Sequence, residues 1–207
     1  MILEHRGVAP KIDRSTRVAP NAVICGDVTI GPNGSVGFGA VIIAESGKVT
    51  IGENCVIMDT AVICGVRDNP VLIGDNVLVG PRAYLVGCTV ESEAFLATGA
   101  TVFNGARISH NAEVRINGIV HLRTVLPAKA VVPLNWIAVG DPVRILPPER
   151  HEEIWAVQQG LDFPKYVFGV DRPPAGGSIM PAVMPRYANA LRHWHADDRE
   201  VDEGETE

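Results

Sequence analysis

Aromatic residues are scarce in this chain: three Trp, three Tyr and five Phe among 207 residues, or 5%. A core without large rings has to be filled by Val, Ile, Leu and Ala, which suit the pleated surface of stacked strands. Cysteine is sparse as well. Cys25, Cys55, Cys64 and Cys88 contain no CxxC pair, which argues against a disulfide framework or a zinc ribbon and for free thiols in a cytoplasmic protein. Positive charge is in deficit, with 18 Lys and Arg against 24 Asp and Glu and a formal net charge of −6. That balance, without any basic run, excludes nonspecific nucleic-acid binding. No apolar run approaches the ~18 residues that mark a membrane-spanning helix. The opening Met1-Ile2-Leu3-Glu4-His5-Arg6 has no signal-like apolar stretch. The expected setting is therefore cytoplasmic, with neither membrane nor nucleic acid as partner.

What the sequence has in quantity is a period of six. An aliphatic anchor recurs at Val18, Ile24, Ile30, Val36 and Ile42, then at Ile51, Ile57 and Ile63, then at Ile73, Val79 and Leu85. A longer run takes in Val90, Leu96, Val102, Ile108, Val114, Val120, Leu126 and Val132. Four residues after most anchors the chain is small, as at Ala22, Ala40, Ala61, Ala83 and Ala100, and Gly often follows an anchor directly, as in Ile51-Gly52 and Ile73-Gly74. An amphipathic helix would show a spacing of about 3.6 and a single strand about 2, and neither fits. Six fits one flat side of a triangular coil, with the anchor pointing in and the small residue at the corner. Three sides close a turn, and stacked turns share backbone hydrogen bonds over a continuous aliphatic column. The run predicts a left-handed parallel β-helix of about six triangular coils over residues 18–146, preceded by an N-terminal segment at 1–17.

The period breaks around Glu45-Ser46-Gly47 and between Gly65 and Pro70, and loses one residue between Leu85 and Val90. Insertions in a solenoid project from one face, often the binding face. Beyond the coils, prolines at 147 and 148, acids at 149, 152 and 153, and Gly160 frame a C-terminal α-helix over residues 147–160, expected to pack on the β-helix. Residues 161–207 read as an extended tail with a short helix near Pro185 to His195 and a disordered acidic end. Within that tail, His193 to Asp198 has metal-binding residue types, but a mobile tail points to solvated side chains.

The segments IGENCVIMDTAVIC (Ile51–Cys64) and IGDNVLVGPRAYLVGC (Ile73–Cys88) carry a resemblance. They are similar to the γ-class carbonic anhydrase family, a branch of the hexapeptide-repeat superfamily that also includes acyltransferases. The resemblance extends through the Val139-Gly140-Asp141-Pro142 exit and the following helix. It implies a homotrimer with sites between subunits, and in the family three histidines hold a zinc ion there. The matching positions here are Cys64, Pro81 and Val86. Proline and valine cannot ligate zinc and one thiolate is too few, so no metal and no cofactor are expected at that site. The family's Arg and Asp fall on Ile43 and Glu45, and its orienting Gln on Met58, while the acid at Asp59 is retained.

Three readings follow. The first is a metal-independent small-molecule enzyme or binder in the intersubunit cleft, not an active carbonic anhydrase. Glu45 or Asp59 would be general base and Tyr84 a donor, with Arg82 holding an anion and Met58, Val86 and Phe103 lining the site. The second is an acyltransferase with His121 as base beside Arg123, and His110 as the next candidate. The third is a non-catalytic scaffold descended from an enzyme.

Overall fold

The computed structural model describes residues 1–201 apart from Arg67, Ala175 and Asp197. The chain forms a left-handed parallel β-helix with three flat faces. Two faces are seven-stranded parallel sheets, and the third has ten strands, eight of them in a parallel ladder. The coil count is thus nearer eight than six. The difference comes from Ile2–Glu4 and Lys11–Ile12 before Val18, which form the first rungs with Arg17–Val18, and from Ile137–Val139 after Val132. The first coil is interrupted by a tight His5–Val8 turn, which hides the period.

The anchors stack as the period requires. On the ten-stranded face Ile24 pairs in register with Ile42, Ile42 with Ile63, Ile63 with Leu85 and Leu85 with Val102. All five are fully buried, as are the corner alanines Ala22, Ala40, Ala61, Ala83 and Ala100. Most corners place a residue in the left-handed region, usually three residues after the anchor. Asn33, Asn54, Asn76, Asn111, Asn117 and Asn135 sit there with φ between 54° and 63°, where Asn is better tolerated than other non-glycine residues. Arg82 (φ 57°) and Arg123 (φ 53°) occupy the same corner place.

Both ends of the ten-stranded face are closed by antiparallel strands. At one end Ile137–Val139 pairs with Arg144–Leu146 across the Asp141–Pro142 turn. There α1 (His151–Gln158) packs Ile154 against Val139 and Leu146. At the other end Arg199–Glu200 pairs with Ile2–Glu4. The described part of the tail is therefore more ordered than the sequence suggests. It contains α2 (Phe163–Phe168) and α3 (Met180–Trp194), the latter running through Pro185. Arg199 makes a two-pronged contact with Glu4, at 2.9 and 2.7 Å. The acidic residues 202–207, expected to be disordered, lie outside the described residues, as does Asp197. Among the described residues no helix is long and apolar enough to cross a membrane.

Candidate functional site

Strand alternation sends the residues flanking each anchor outward. On the ten-stranded face, one outward column runs Cys25, Ile43, Cys64 and Val86, and the other Val41, Val62, Tyr84 and Thr101. Two of the family's zinc positions, Cys64 and Val86, are thus neighbours on successive rungs. Pro81 lies at the corner that leads into the rung of Val86.

Glu45 leaves the end of the strand Val41–Ala44, at the edge of this face. The Cys64 thiol donates to its Oε2 at 3.6 Å. Burial first, and then the adjacent Glu45 carboxylate, push the Cys64 thiol up to about 12. It stays protonated at neutral pH and is not a ready nucleophile. Tyr84 on the next rung has its pKa raised, chiefly by burial and then by Cys64, Tyr187 and Glu45. Tyr187 comes from α3 and is raised by burial, Glu45 and Cys64 in turn. Glu45, Cys64, Tyr84 and Tyr187 therefore share one electrostatic neighbourhood. The helix is fixed over it by the Trp194 indole N–H, which donates to the Glu45 carbonyl at 2.7 Å. A cavity of about 410 Å³ opens beside Glu45, between the corner loops and α2 and α3, with Asn69, Arg186 and Tyr187 in its lining. Sequence reasoning alone misses Tyr187 and Arg186. The only signal for them is a helix-compatible stretch with no register to the repeat.

The other candidates lie elsewhere. Met58, Asp59, Pro81 and Arg82 occupy corners that begin the ten-stranded face, and Glu45 lies at the edge where it ends. A single chain does not bring these two groups together. Asp59 is also structural, because its Oδ1 accepts the Phe38 backbone N–H at 2.7 Å. Asp75, at the same place in its hexapeptide, caps Glu53 in the same way at 2.9 Å. His121 stands three rungs beyond Cys64, roughly 14 Å at the usual strand spacing. Its ring is 5.7 Å from that of Phe103. Burial holds its pKa below the ordinary value, and Nδ1 is buried with no hydrogen-bond partner among the described residues. Arg123 lies over the Tyr166 ring at 5.9 Å, and Tyr166 donates to Asn69 at 3.1 Å, so Arg123 helps dock α2. His110 is exposed, 3.5 Å from Glu93.

The donor set at the family's zinc positions does not fit the ion: proline and valine offer no donor atom, and the single thiol of Cys64 is too few.

No family model matches the chain. It is 39% identical over 98 residues to γ carbonic anhydrase 3, mitochondrial, of Arabidopsis thaliana, a match covering 44% of this chain and 38% of that one. It is 31% identical over 104 residues to a carbonic anhydrase of Geobacillus kaustophilus, covering 50% and 57%. The matches thus span between 38 and 57% of the length of these relatives. Among solved structures, a hexapeptide transferase family protein from Anaplasma phagocytophilum superposes with a TM-score of 0.51 at 28% identity, over 77% of this chain and 91% of that one. With the stacked hexapeptides, these comparisons show that about half of the chain, the Ile51–Cys88 segment included, is similar to the γ-carbonic anhydrases, on a β-helix similar to that of a hexapeptide transferase family protein.

Proposed function

We propose that this protein is a homotrimer that binds and acts on a small molecule at the subunit interface, without the histidine-held zinc of the γ-carbonic anhydrases. The observation that carries this reading is the Glu45–Cys64–Tyr84–Tyr187 neighbourhood, which includes one of the family's zinc positions, Cys64, beside a cavity of about 410 Å³. Glu45 is the acid–base group. It lies at the cavity and can exchange a proton with a bound ligand, whereas the Asp59 carboxylate is engaged as a corner cap. Arg186 offers a cation on one side of the cavity, with Val167, Phe168 and Val183 as apolar lining. That combination suits a ligand with an acidic group on a small apolar body, larger and less polar than bicarbonate.

Assembly is supported by the corner that begins the ten-stranded face. Phe38, Ile116 and Leu134 hold equivalent places two residues after their anchors, and they are 49, 45 and 52% exposed. Exposed apolar side chains at both ends of this edge, with Asp59, Pro81 and Thr98 on the rungs between them, offer contacts for a second copy. Docked against a neighbour's Glu45 edge, this edge would supply that site with Asp59 and Arg82, which no single chain can do.

The test begins with sedimentation of the 22.1 kDa chain, expected to give a trimer. Small carboxylic acids are then screened for a rise in melting temperature, as any ligand preferring the native state produces. A stabilising acid should lose its effect in Glu45→Gln and Arg186→Ala with the trimer intact. A monomeric chain, or CO₂ hydration that depends on Cys64, overturns the proposal. A second reading, acyl transfer, rests on the imidazole of His121, which burial favours as neutral and whose Nδ1 has no partner among the described residues. It predicts that acetyl-CoA raises the melting temperature of the wild type and not of His121→Ala.

A further inference from the structure

At the N-terminal end of the solenoid four side chains from three distant parts of the chain converge. His5 follows the first rung, Cys25 ends the strand Val23–Cys25 on the second, and His195 and Asp198 lie just beyond α3. One ligand atom from each falls within 4.8 Å of all the others, and this is the one such group of His, Cys, Asp and Glu among the described residues. The Asp198 carboxylate sits between the two imidazoles, 2.6 Å from Nδ1 of His5 and 2.7 Å from Nδ1 of His195. The Cys25 Sγ lies 3.7 Å from its second oxygen.

We infer that His5, Cys25, His195 and Asp198 form a structural zinc-class metal site that clamps the C-terminal segment to the first two coils. Two imidazoles, a thiolate and a carboxylate are four donors of the types zinc takes in tetrahedral sites. Bond lengths of about 2.0–2.3 Å place such donors roughly 3.3–3.8 Å apart. The cluster therefore needs adjustments of about an ångström, not a refolding. A second observation points the same way. His5 is 6% exposed, and its Nε2 is buried with no partner among the described residues. A buried imidazole with an unsatisfied nitrogen is costly, and a turn of the ring that brings Nε2 round to the other three donors would let a metal complete it. Catalysis by the thiol is a poor alternative, since Cys25 is 2% exposed and burial, with Asp198 beside it, pushes it up to about 11. A metal reverses that preference, because coordination displaces the thiol proton. The four protein donors leave no open position for substrate, which makes the site structural.

The site is separate from the Glu45 neighbourhood, and so is its test. Full-length protein prepared without an affinity tag is dialysed and its zinc measured, then stripped with chelator and titrated with Co²⁺. The expected result is about one metal per chain, and a cobalt spectrum with a thiolate charge-transfer band. Cys25→Ser should lose that band, and His195→Ala should weaken binding by more than about a hundredfold, since even outer-shell changes cost about 10–100-fold. Two controls should leave binding unchanged: His193→Ala, whose ring bonds its own helix at Asn189, and Cys64→Ser. Substoichiometric metal, a cobalt spectrum without the thiolate band, or binding unchanged in Cys25→Ser overturns the inference. So does loss of metal in Cys64→Ser, which would relocate it to the family's position and refute the proposed function as well. The wild-type cobalt spectrum decides the matter even if a variant fails to fold.

Discussion

Glu45 owes its position to two glycines packed backbone to backbone. A Cβ on Gly65 would lie 2.2 Å from the carbonyl oxygen of Gly47 and 2.8 Å from that of Lys48. From the other side, a Cβ on Gly47 would lie 2.1 Å from the Val66 carbonyl oxygen. The Gly65 carbonyl also accepts the N–H groups of Ser46 and Gly47, both at 3.3 Å. Gly65→Ala must therefore push the Glu45–Gly47 loop off its neighbouring rung, because the clash is with main chain and not with a side chain that can swing away. Overpacking costs about 1–3 kcal/mol, and a backbone clash belongs in the upper half, roughly 2–3 kcal/mol. For a chain of this size each kcal/mol moves the melting temperature by about 2–4 °C, which gives a fall of roughly 4–12 °C. The control is Gly160→Ala, where a Cβ would meet nothing within 4 Å. There the stiffer unfolded chain leaves stability unchanged or raised by up to about 1 kcal/mol. Circular dichroism melts of the two variants beside the wild type make the comparison. The Glu45-dependent ligand effect should also shrink in Gly65→Ala, since the carboxylate moves with the loop. If Gly65→Ala melts no lower than Gly160→Ala, the close packing that places Glu45 is wrong.

The same geometry yields three further expectations. Leu85→Ala removes a fully buried anchor between Ile63 and Val102. The rungs on either side cannot close the gap, so urea unfolding should show a loss of about 3–5 kcal/mol, and a loss below about 1 kcal/mol would contradict the continuous column. Asp59→Ala deletes the acceptor for the exposed Phe38 N–H and should cost about 0.5–1.5 kcal/mol, most of it restored in Asp59→Asn; equal destabilisation by both would tie Asp59 to its charge instead of its cap. Burial lowers the pKa of His121 from its ordinary 6.5, so the native state prefers it neutral. Its contribution is present above the unfolded value and lost as pH falls from there through the lower folded one. The acid-side slope of melting temperature against pH should flatten in His121→Gln, and an unchanged slope would refute the assignment.

The solenoid is legible in the sequence because its rule is local and repeated: one anchor every six residues, each with a rung above and below to satisfy it. A second rule is equally local and easily overlooked. Asn or Gly falls three residues after the anchor at Asn33, Gly39, Asn54, Asn76, Gly99, Asn111 and Asn117, and each of these has positive φ. The first coil escapes notice for a physical reason. The His5–Val8 turn disrupts the spacing, although Ile12 lies six residues before Val18. Of the site, the repeat register supplies the outward column that joins Cys64 to Val86. Tyr187, Arg186 and Trp194 have no such signal, because a helix laid over a face follows its own period. The pairing of Arg199–Glu200 with Ile2–Glu4 across nearly the whole chain has none either.

The ends of such a molecule are where its stability problem concentrates. An interior rung is hydrogen-bonded on both sides, but the first and last present open strand edges, which invite pairing with other chains. This chain closes the ten-stranded face at both ends with antiparallel strands, and the two closures are unequal. At the C-terminal end the closing strand Arg144–Leu146 follows its partner within a few residues, three residue pairs are in register, and α1 packs behind them. At the N-terminal end the closing strand has two residues, Arg199 and Glu200, paired with Leu3 and Glu4 from the far end of the sequence. Two ladder pairs and the exposed contact of Arg199 with Glu4 are little to set against the entropy of closing so long a loop. A cross-link gains most where the loop it closes is longest, and His5, Cys25, His195 and Asp198 converge at this closure. A metal held there would fix α3 over the Glu45 cavity through Trp194, so the clamp at the end of the solenoid also sets the wall of its candidate site.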